Sequence, residues 1–536
     1  MPKQMLFDDD ARKKVLSGIR QLAAAVKVTM GPSAKQVLLG KAFGAPQAVN
    51  DGVTVAKEIE LPDPFENMGA KLGQEAASKT NDVAGDGTTA SVVLLEAIYR
   101  EGMKHLGAGA DPMALKKGID KAVAAVVEQV RSTSTPVKGR EQMESVATIS
   151  ANNDRVLGKL IAEAMEKVGK EGVITVEEGK SLETKVEFSE GLQFDKGYVS
   201  PYFVTKVDAL TCELDDPYIL FFEKKISAIR DIVPVLETVL QAGRPLLIIC
   251  EELDGEALAT LVVNKLRGTL QVCAVKAPAF GDRRKAIMED MAIVCGGQLV
   301  SEDLGVKLEK VGVDYLGSAR RVKVEREKTT IVEGAGDKKK IAERVAQLRK
   351  QVKDTTSDYD REKLEERLAK ILGGVAVVKV GGATEAEMKE RKYRVEDAVN
   401  AAKAAREEGF VPGGGVALFR AIGAVRALKL DGDEALGAKV IERALVAPIR
   451  QIATNTGADA DVVVEEVGAK EGSWGFDAAK REYRDLVAAG IIDPTKVVRS
   501  ALQNAANVAG TFLTSTSLIT DLKEKDEKKK IEGTVR

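Results

Sequence analysis

PLLIICEELDGEALATLVVNKLRGTLQVCAVKAP, Pro245 to Pro278, reads as strand, helix, strand. Two apolar strand-like runs, PLLIICEEL (245–253) and LQVCAVKAP (270–278), flank DGEALATLVVNKLRG (254–268), whose apolar residues recur at helical spacing. A helical crossover between two strands leaves them parallel, so the stretch predicts a compact α/β domain. The same alternation of strands and helices extends from Gly191 to about residue 335.

Beyond it, residues 338 to 371 predict a helical hairpin, with DTTSD (354–358) as the turn and Ser357 with Asp360 as its cap. The strand-like VAVVKV then stands between Gly373-Gly374 and Gly381-Gly382. Outside this region the pattern is helical. Val15, Ile19, Leu22, Ala23 and Val26 predict a helix that stops at Gly31-Pro32, and further helices are expected over 88–105 and 112–131. Alanine-rich helical patterns return over 384–408 and from 416 onward. After Pro136 the pattern changes to a helix near 154–168 and the strand-like GVITVEEG, which puts a domain junction near 133–136. The expected fold class is α/β multidomain, with an α/β domain inserted into a helical domain whose halves lie at both ends of the chain.

Composition narrows the function. Lysine and arginine number 80 against 82 acids, a balance of -2 in 536 residues, which gives no bias toward nucleic acid. No apolar stretch approaches membrane-spanning length, and the start MPKQMLFDDDARKK has neither a signal-peptide core nor transit-peptide character. A cytoplasmic location is expected, although a mature organellar chain would look the same. Cys212, Cys250, Cys273 and Cys295 form no C-x-x-C pair and read as reduced core residues. The single histidine, His105, lies near an expected helix end and suits a surface or capping role. Any general base is therefore expected to be a carboxylate, which suits activation of water on a phosphoanhydride. The last fifteen residues, LKEKDEKKKIEGTVR, are highly charged and read as disordered.

The chemistry concentrates in Gly85-Asp86-Gly87-Thr88-Thr89, followed by the apolar Val92-Val93-Leu94-Leu95. Glycines let backbone N–H groups approach an anion, and a helix starting near Thr88 offers its free donors and positive dipole end to a phosphate. Asp86 would repel that phosphate unless a hard cation lay between them, which implies Mg2+. A plain glycine turn with a threonine N-cap is the competing reading. Four other segments resemble parts of a nucleotide site. Thr29-Met30-Gly31-Pro32 ends a helix, and Asn50-Asp51-Gly52-Val53-Thr54 puts an acid in a tight turn before a β-like run. Gly413-Gly414-Gly415 introduces a helix at Val416, and Asp493 in GIIDPTKV suits an N-cap.

Taken together, VTMGPSAKQVLL, NDGVTVAKEIEL, DVAGDGTTASVVL, SANND, GYVSPYF, KAPAFGDRRKAIMEDMA, RVEDAVNAAKAAREEG, PGGGVAL and DPTKVVRSALQNAANVAG, in this order, closely resemble the group I chaperonins, the GroEL family of bacteria and organelles. The resemblance covers nearly the whole chain. It implies an equatorial ATPase domain (1–133 and 408–523), an intermediate domain (134–189 and 375–407) and an apical domain (190–374), followed by a charged tail (524–536). It implies ATP contact by Thr29, Met30, Gly31, Pro32, Asp86, Gly87, Thr88, Thr89, Ala90, Gly414, Asp477, Ala478, Ala479 and Asp493, with Mg2+ on Asp86 and K+ as a further cofactor. Asp51 would lie near the terminal phosphate and Asp397 would activate the hydrolytic water. Pro136, Gly409, Gly191 and Gly374 are the expected hinges.

In EALATLVVNKLR, residues Ala257, Leu258, Leu261, Val262, Val263 and Leu266 span roughly 240° of the helix, against about 100° for one buried face. Either the helix is buried nearly all round, or part of this surface is open. The resemblance favours exposure of Leu258, Val262 and Val263, beside Val233, Leu236, Tyr198, Tyr202 and Phe203, as a face that binds non-native polypeptides. It also implies a homo-oligomer of two stacked seven-membered rings and a small GroES-like co-chaperonin lid, with no nucleic acid or membrane partner. Three positions depart from the common pattern: Asn50 replaces a lysine, Ala90 a third threonine and Asp477 an asparagine. A charged tail stands in place of a Gly-Gly-Met-rich one. The expected function is an ATP-driven folding chaperone; the alternative is a specialised holdase or scaffold that captures chains without cycling.

Overall fold

A computed structural model of the chain describes residues 2–40, 46–169, 172–179, 181–189, 191–207, 209–301, 306–355 and 357–522. The expected tail at 524–536 lies outside the described residues. Two compact units are present. One comprises Met1–Glu163, Lys180–Glu183 and Val380–Arg536, and the other Ala164–Gly179 and Thr184–Lys379. Residues 134–163 and 380–407, expected in an intermediate domain, count with the first.

The second unit is the α/β one. Leu246–Cys250, Gly255–Leu266 and Val272–Lys276 form the expected β-α-β, with Leu246 opposite Val272 and Cys250 opposite Lys276 in a parallel pair. Tyr218–Phe222 extends this set in parallel, and Gly317–Val324, Thr329–Gly334 and Gly191–Phe194 continue the sheet with antiparallel pairs. All five residues of Leu246–Cys250 are fully buried, as an interior strand of a covered sheet must be. The hairpin is Lys338–Asp354 and Asp358–Leu372, the second arm capped by the Ser357 hydroxyl accepting from the Asp360 N–H at 3.3 Å. Arg344 and Arg367, one from each arm, both donate to the buried Asp290 carboxylate at 2.7 Å.

The first unit is mainly helical, and its core is built from both ends of the chain. Ile19, Leu95, Ile98 and Ile119 share one buried cluster with Ile441, Leu502 and Ala505. The nested order predicted from the pattern is thus the order of the fold. Helices Asp8–Val26 and Pro64–Ala84 cross at reciprocal glycines. A Cβ on Gly18 would lie 1.8 Å from the Glu66 carbonyl oxygen, and one on Gly69 would lie 2.2 Å from that of Val15. The outermost strands, Lys3–Phe7 and Ser517–Asp521, form a separate antiparallel ribbon. No helix among the described residues is long and apolar enough to cross a membrane.

Three local expectations are corrected. Gly52–Lys57 is a short helix, not a β-like run: Asp51 caps it, accepting from the Val53 and Thr54 N–H groups at 3.2 and 2.9 Å, and Val55 and Ala56 are buried beside Leu22 and Ala23. The first helix ends at Val26, and a 3-10 turn, Lys27–Thr29, precedes Gly31-Pro32. Asp493 caps nothing. It lies in the strand Ile492–Pro494, paired with Phe410–Pro412, and Pro494 is the residue that precedes helix Thr495–Leu513.

The glycine crossing generates a first prediction. Gly69→Ala forces a methyl into a backbone carbonyl, so the helices must part, at a cost of about 1–3 kcal/mol. Urea unfolding should show a lower midpoint than the wild type; an unchanged midpoint would mean that the crossing yields freely.

Candidate functional site: an acidic cavity around a glycine loop

The helical unit contains a cavity of about 680 Å3. Every residue that the resemblance assigns to ATP contact or to catalysis lines it: Thr29 to Pro32, Asp51, Asp86 to Ala90, Asp397, Gly414, Asp477 to Ala479 and Asp493. Helix Thr88–Gly107 opens onto the cavity with no side-chain cap, so its first N–H groups have no partner from a capping side chain. Gly85 and Gly87, with φ of 70° and 83°, make the left-handed turns that present this helix end. Gly87 also packs tightly on Val497, from which a Cβ would be 2.6 Å away.

The other walls are tied to this loop by short contacts. A Cβ on Gly52 would come within 2.3 Å of the Thr89 hydroxyl, so the Asp51 turn lies directly on the loop. Thr29 and Thr89 hydroxyls are 3.0 Å apart, and the Asn455 amide holds the Thr29 turn by donating to the carbonyls of Lys27 and Met30, each at 2.9 Å. Asp477 is nearly buried. Its Oδ1 accepts from the Ala479 and Lys480 N–H groups at 3.2 Å, and Arg484 faces its Oδ2 at 3.7 Å. Asp397 lies halfway along Glu385–Glu408, a helix that packs on Arg140–Ser150 and on Thr495–Leu513.

Ser150 was given no role from the sequence, although the SANND motif contains it. Its hydroxyl donates to Asp86 Oδ2 at 2.7 Å, while the Gly87 N–H donates to Oδ1 at 2.5 Å. Asn400 was missed as well; it lies against Gly85, with its amide 3.5 Å from the Gly85 carbonyl. No periodicity or motif chemistry marks either residue. His105 is half-buried in the last turn of Thr88–Gly107 and does not line the cavity.

Electrostatically the cavity is crowded with like charge. Burial raises the Asp86 carboxyl above its usual range, the Ser150 and Gly87 donors oppose this, and the charge of Asp51 adds to it. Asp397 is raised well above the carboxylate range by burial and then by the charges of Asp51, Asp86 and Glu396. Asp493 is pushed up to about 7 by burial and by Asp86. Among the described residues no group of three or more His, Cys, Asp or Glu is close enough to hold a metal by itself. Hard oxygen donors in excess do fit a divalent cation that takes one carboxylate and completes its shell from phosphate.

The α/β unit carries the second candidate surface. On Gly255–Leu266, Ala257 and Leu261 are buried, Leu258 and Val262 are half-buried, and Val263 and Leu266 are 43% and 64% exposed. The helix is therefore not buried all round. Tyr202 and Val233 are exposed and Tyr198 is half-buried, but Phe203 and Leu236 are not surface residues. Phe203 is fully enclosed in the sheet core, and Leu236 is on the inward face of Val233–Ala242 with Val235 and Val239. Of the expected hinges, Gly409 and Gly374 have φ of 78° and 61°, whereas Gly191 is held in a strand opposite Val332. Pro136 follows Thr135, which bridges Phe410.

The raised carboxyls give a pH prediction. A group that holds its proton more tightly when folded makes the folded state bind more protons between its ordinary and its raised value, so stability falls as pH rises through that window. For Asp493 the window runs from 3.8 to about 7. Without nucleotide or divalent cation, the denaturant midpoint should fall from pH 5 to pH 8, and Asp493→Asn should flatten the slope. A slope of opposite sign, or one untouched by the substitution, would contradict the assignment.

A family model described as the TCP-1/cpn60 chaperonin family matches residues 22–523. Proteins of this family are chaperones, generally ATPases, that bind substrate proteins and assemble into oligomeric rings. The match takes in the glycine loop, the Asp397 helix, the whole α/β unit and the returning C-terminal helices, and the chain belongs to the TCP-1/cpn60 chaperonin family.

Proposed function

We propose that the chain is an ATP-hydrolysing chaperonin of group I, which captures non-native polypeptides on the open face around Gly255–Leu266 and encloses them under a small co-chaperonin lid. The observation that carries this reading is the single cavity shared by the uncapped helix end at Thr88, Asp86 and Asp397. The group I assignment rests on motifs such as NDGVTVAKEIEL, GYVSPYF and KAPAFGDRRKAIMEDMA. With it go the three-domain division into 1–133 with 408–523, 134–189 with 375–407, and 190–374, and the double ring of seven-membered layers. Exposed Met5, Phe7 and Ile519 on the terminal ribbon, and Leu38 on the hairpin Val37–Leu39 with Gln47–Val49, support contacts with further copies. A cytoplasmic location suits the four buried free thiols.

In this mechanism the triphosphate takes the unpaired N–H groups at Thr88 and Thr89, and Thr29 to Pro32 close the wall beside it. Asp86 would hold Mg2+, which would supply positive charge to the phosphate oxygens; K+ is proposed with it. Asp397 accepts the proton of the attacking water, a task suited to a carboxylate whose proton affinity is raised. Asp51, its oxygens already engaged by Val53 and Thr54, orders the turn beside the terminal phosphate. Asp477 and the Ala478–Ala479 backbone offer a polar edge to the base. The apolar face binds by area and not by direction, which gives broad client tolerance.

Two measurements test this reading. Steady-state ATPase of Asp397→Ala should lose at least about a hundredfold in kcat while ATP binding persists. Turnover indifferent to Asp397, or absent from the wild type, would favour the non-cycling holdase. Leu258→Ser with Val263→Ser should weaken capture of an unfolded client and leave ATPase intact, whereas Phe203→Ser should destabilise the unit by about 3 kcal/mol or more because it opens the core.

A further inference from the structure

Seven carboxylates line the cavity (Asp51, Asp86, Glu141, Glu144, Asp397, Asp477 and Asp493), against three cations: Arg155, Lys480 and Arg484. Beyond the cations proposed above, full positive charge at the phosphate end of a polyanion in this cavity must come from these three side chains. Arg484 faces Asp477, and Lys480 sits on the same turn, its N–H donating to Asp477 Oδ1. Arg155 stands elsewhere. It follows the turn that begins at Ser150, the residue bonded to Asp86.

The local backbone holds Arg155 in place. Asn152 and Asn153 have φ of 55° and 65°, two consecutive left-handed residues without glycine, and their N–H groups donate to the carbonyls of Ile149 and Thr148. Such backbone is strained and persists where the surroundings fix it. Asp154 then caps helix Arg155–Val168, accepting from the Val156 and Leu157 N–H groups at 3.0 and 3.1 Å. Arg155 is the first residue of that helix, where the dipole disfavours a cation. It is exposed and makes no ion pair or side-chain hydrogen bond with the described residues. Neither helix stability nor a surface ion pair accounts for a free guanidinium at this point on the wall.

We propose that Arg155 is a catalytic cation: its guanidinium contacts the terminal phosphate of bound ATP and stabilises the charge that develops there during hydrolysis. This rests on the ATPase reading above. In the step, the oxygen of water bonds to the terminal phosphorus and the bond from that phosphorus to the bridging oxygen breaks. The electron pair stays on ADP, and the proton of water passes to Asp397 and then to solvent. ATP and water give ADP, hydrogen phosphate and a proton; nothing is oxidised or reduced. Arg155 moves no proton and acts through charge.

The test uses the full-length protein with Mg2+. Arg155→Ala should lower kcat by about a hundredfold to a thousandfold and change the KM for ATP less than about threefold, with Arg155→Lys between the two. Val156→Ser, at an exposed neighbour, serves as a control and should match the wild type. ADP with aluminium fluoride, a mimic of the phosphoryl-transfer transition state, should bind Arg155→Ala more weakly than the wild type, by a similar factor, while ADP alone binds equally. A kcat within threefold of the wild type, or equal loss of ADP and ADP–aluminium fluoride binding, overturns the proposal. A wild type without turnover that still binds ADP–aluminium fluoride through Arg155 would sink the cycling ATPase and leave this contact standing.

Discussion

The contact between Gly85 and Asn400 sets the geometry on which the cavity depends. A Cβ at residue 85 would lie 2.3 Å from that of Asn400, so only glycine lets helix Glu385–Glu408 lie against the loop. That approach carries Asp397 toward Asp86, two carboxylates that repel each other. Packing of small residues holds them there. Ala401 and Ala405 are buried with Val146, Phe410 and Ile492, and Ala404 with Ala84 and Val497. At the end of the helix, Lys496 pairs with Glu407, and Arg499 with Glu408. Alanines bring the helix close, and the ion pairs at its end add orientation more than energy.

The two candidate surfaces follow opposite physical rules. The cavity concentrates like charges in a partly buried space, so a ligand that arrives with a cation relieves an electrostatic load that the empty fold carries. Its donors are backbone groups aimed by glycines, which favours one ligand geometry. The exposed surface of Gly255–Leu266 is dominated by apolar side chains, with Val263 and Leu266 the most open of them. It leaves apolar area uncovered that most folds would bury.

What could be read from the sequence follows the range of the interactions. The β-α-β at 245–278 and the loop at 85–89 were legible because strand burial, crossover and glycine chemistry are local. The short helix at 52–57 was not: Val53, Thr54 and Val55 favour a strand, and the Asp51 cap with burial of Val55 and Ala56 outweighs them. Periodicity showed that Gly255–Leu266 is apolar over too wide an arc, but it could not show that Phe203 lies under the sheet or that Leu236 faces inward. Asp397 on its own reads as one more charge on a polar helix. Only the resemblance singled it out in the sequence, and Ser150 and Asn400 emerged only from contacts between distant segments.

The pairing of Lys3–Phe7 with Ser517–Asp521 has a temporal meaning. The first strand of the chain finds its partner only when the last described strand has been synthesised, and the loop at Gly87 must wait for Val497 to cover it. The inserted α/β unit is complete at residue 379, 138 residues before Ser517, or roughly seven to thirty seconds earlier at about 5–20 residues per second. During synthesis the apolar face is therefore finished before the cavity exists. A chain that stops at residue 379 carries the α/β unit without the partner strand of Lys3–Phe7 and without Val497 to cover Gly87.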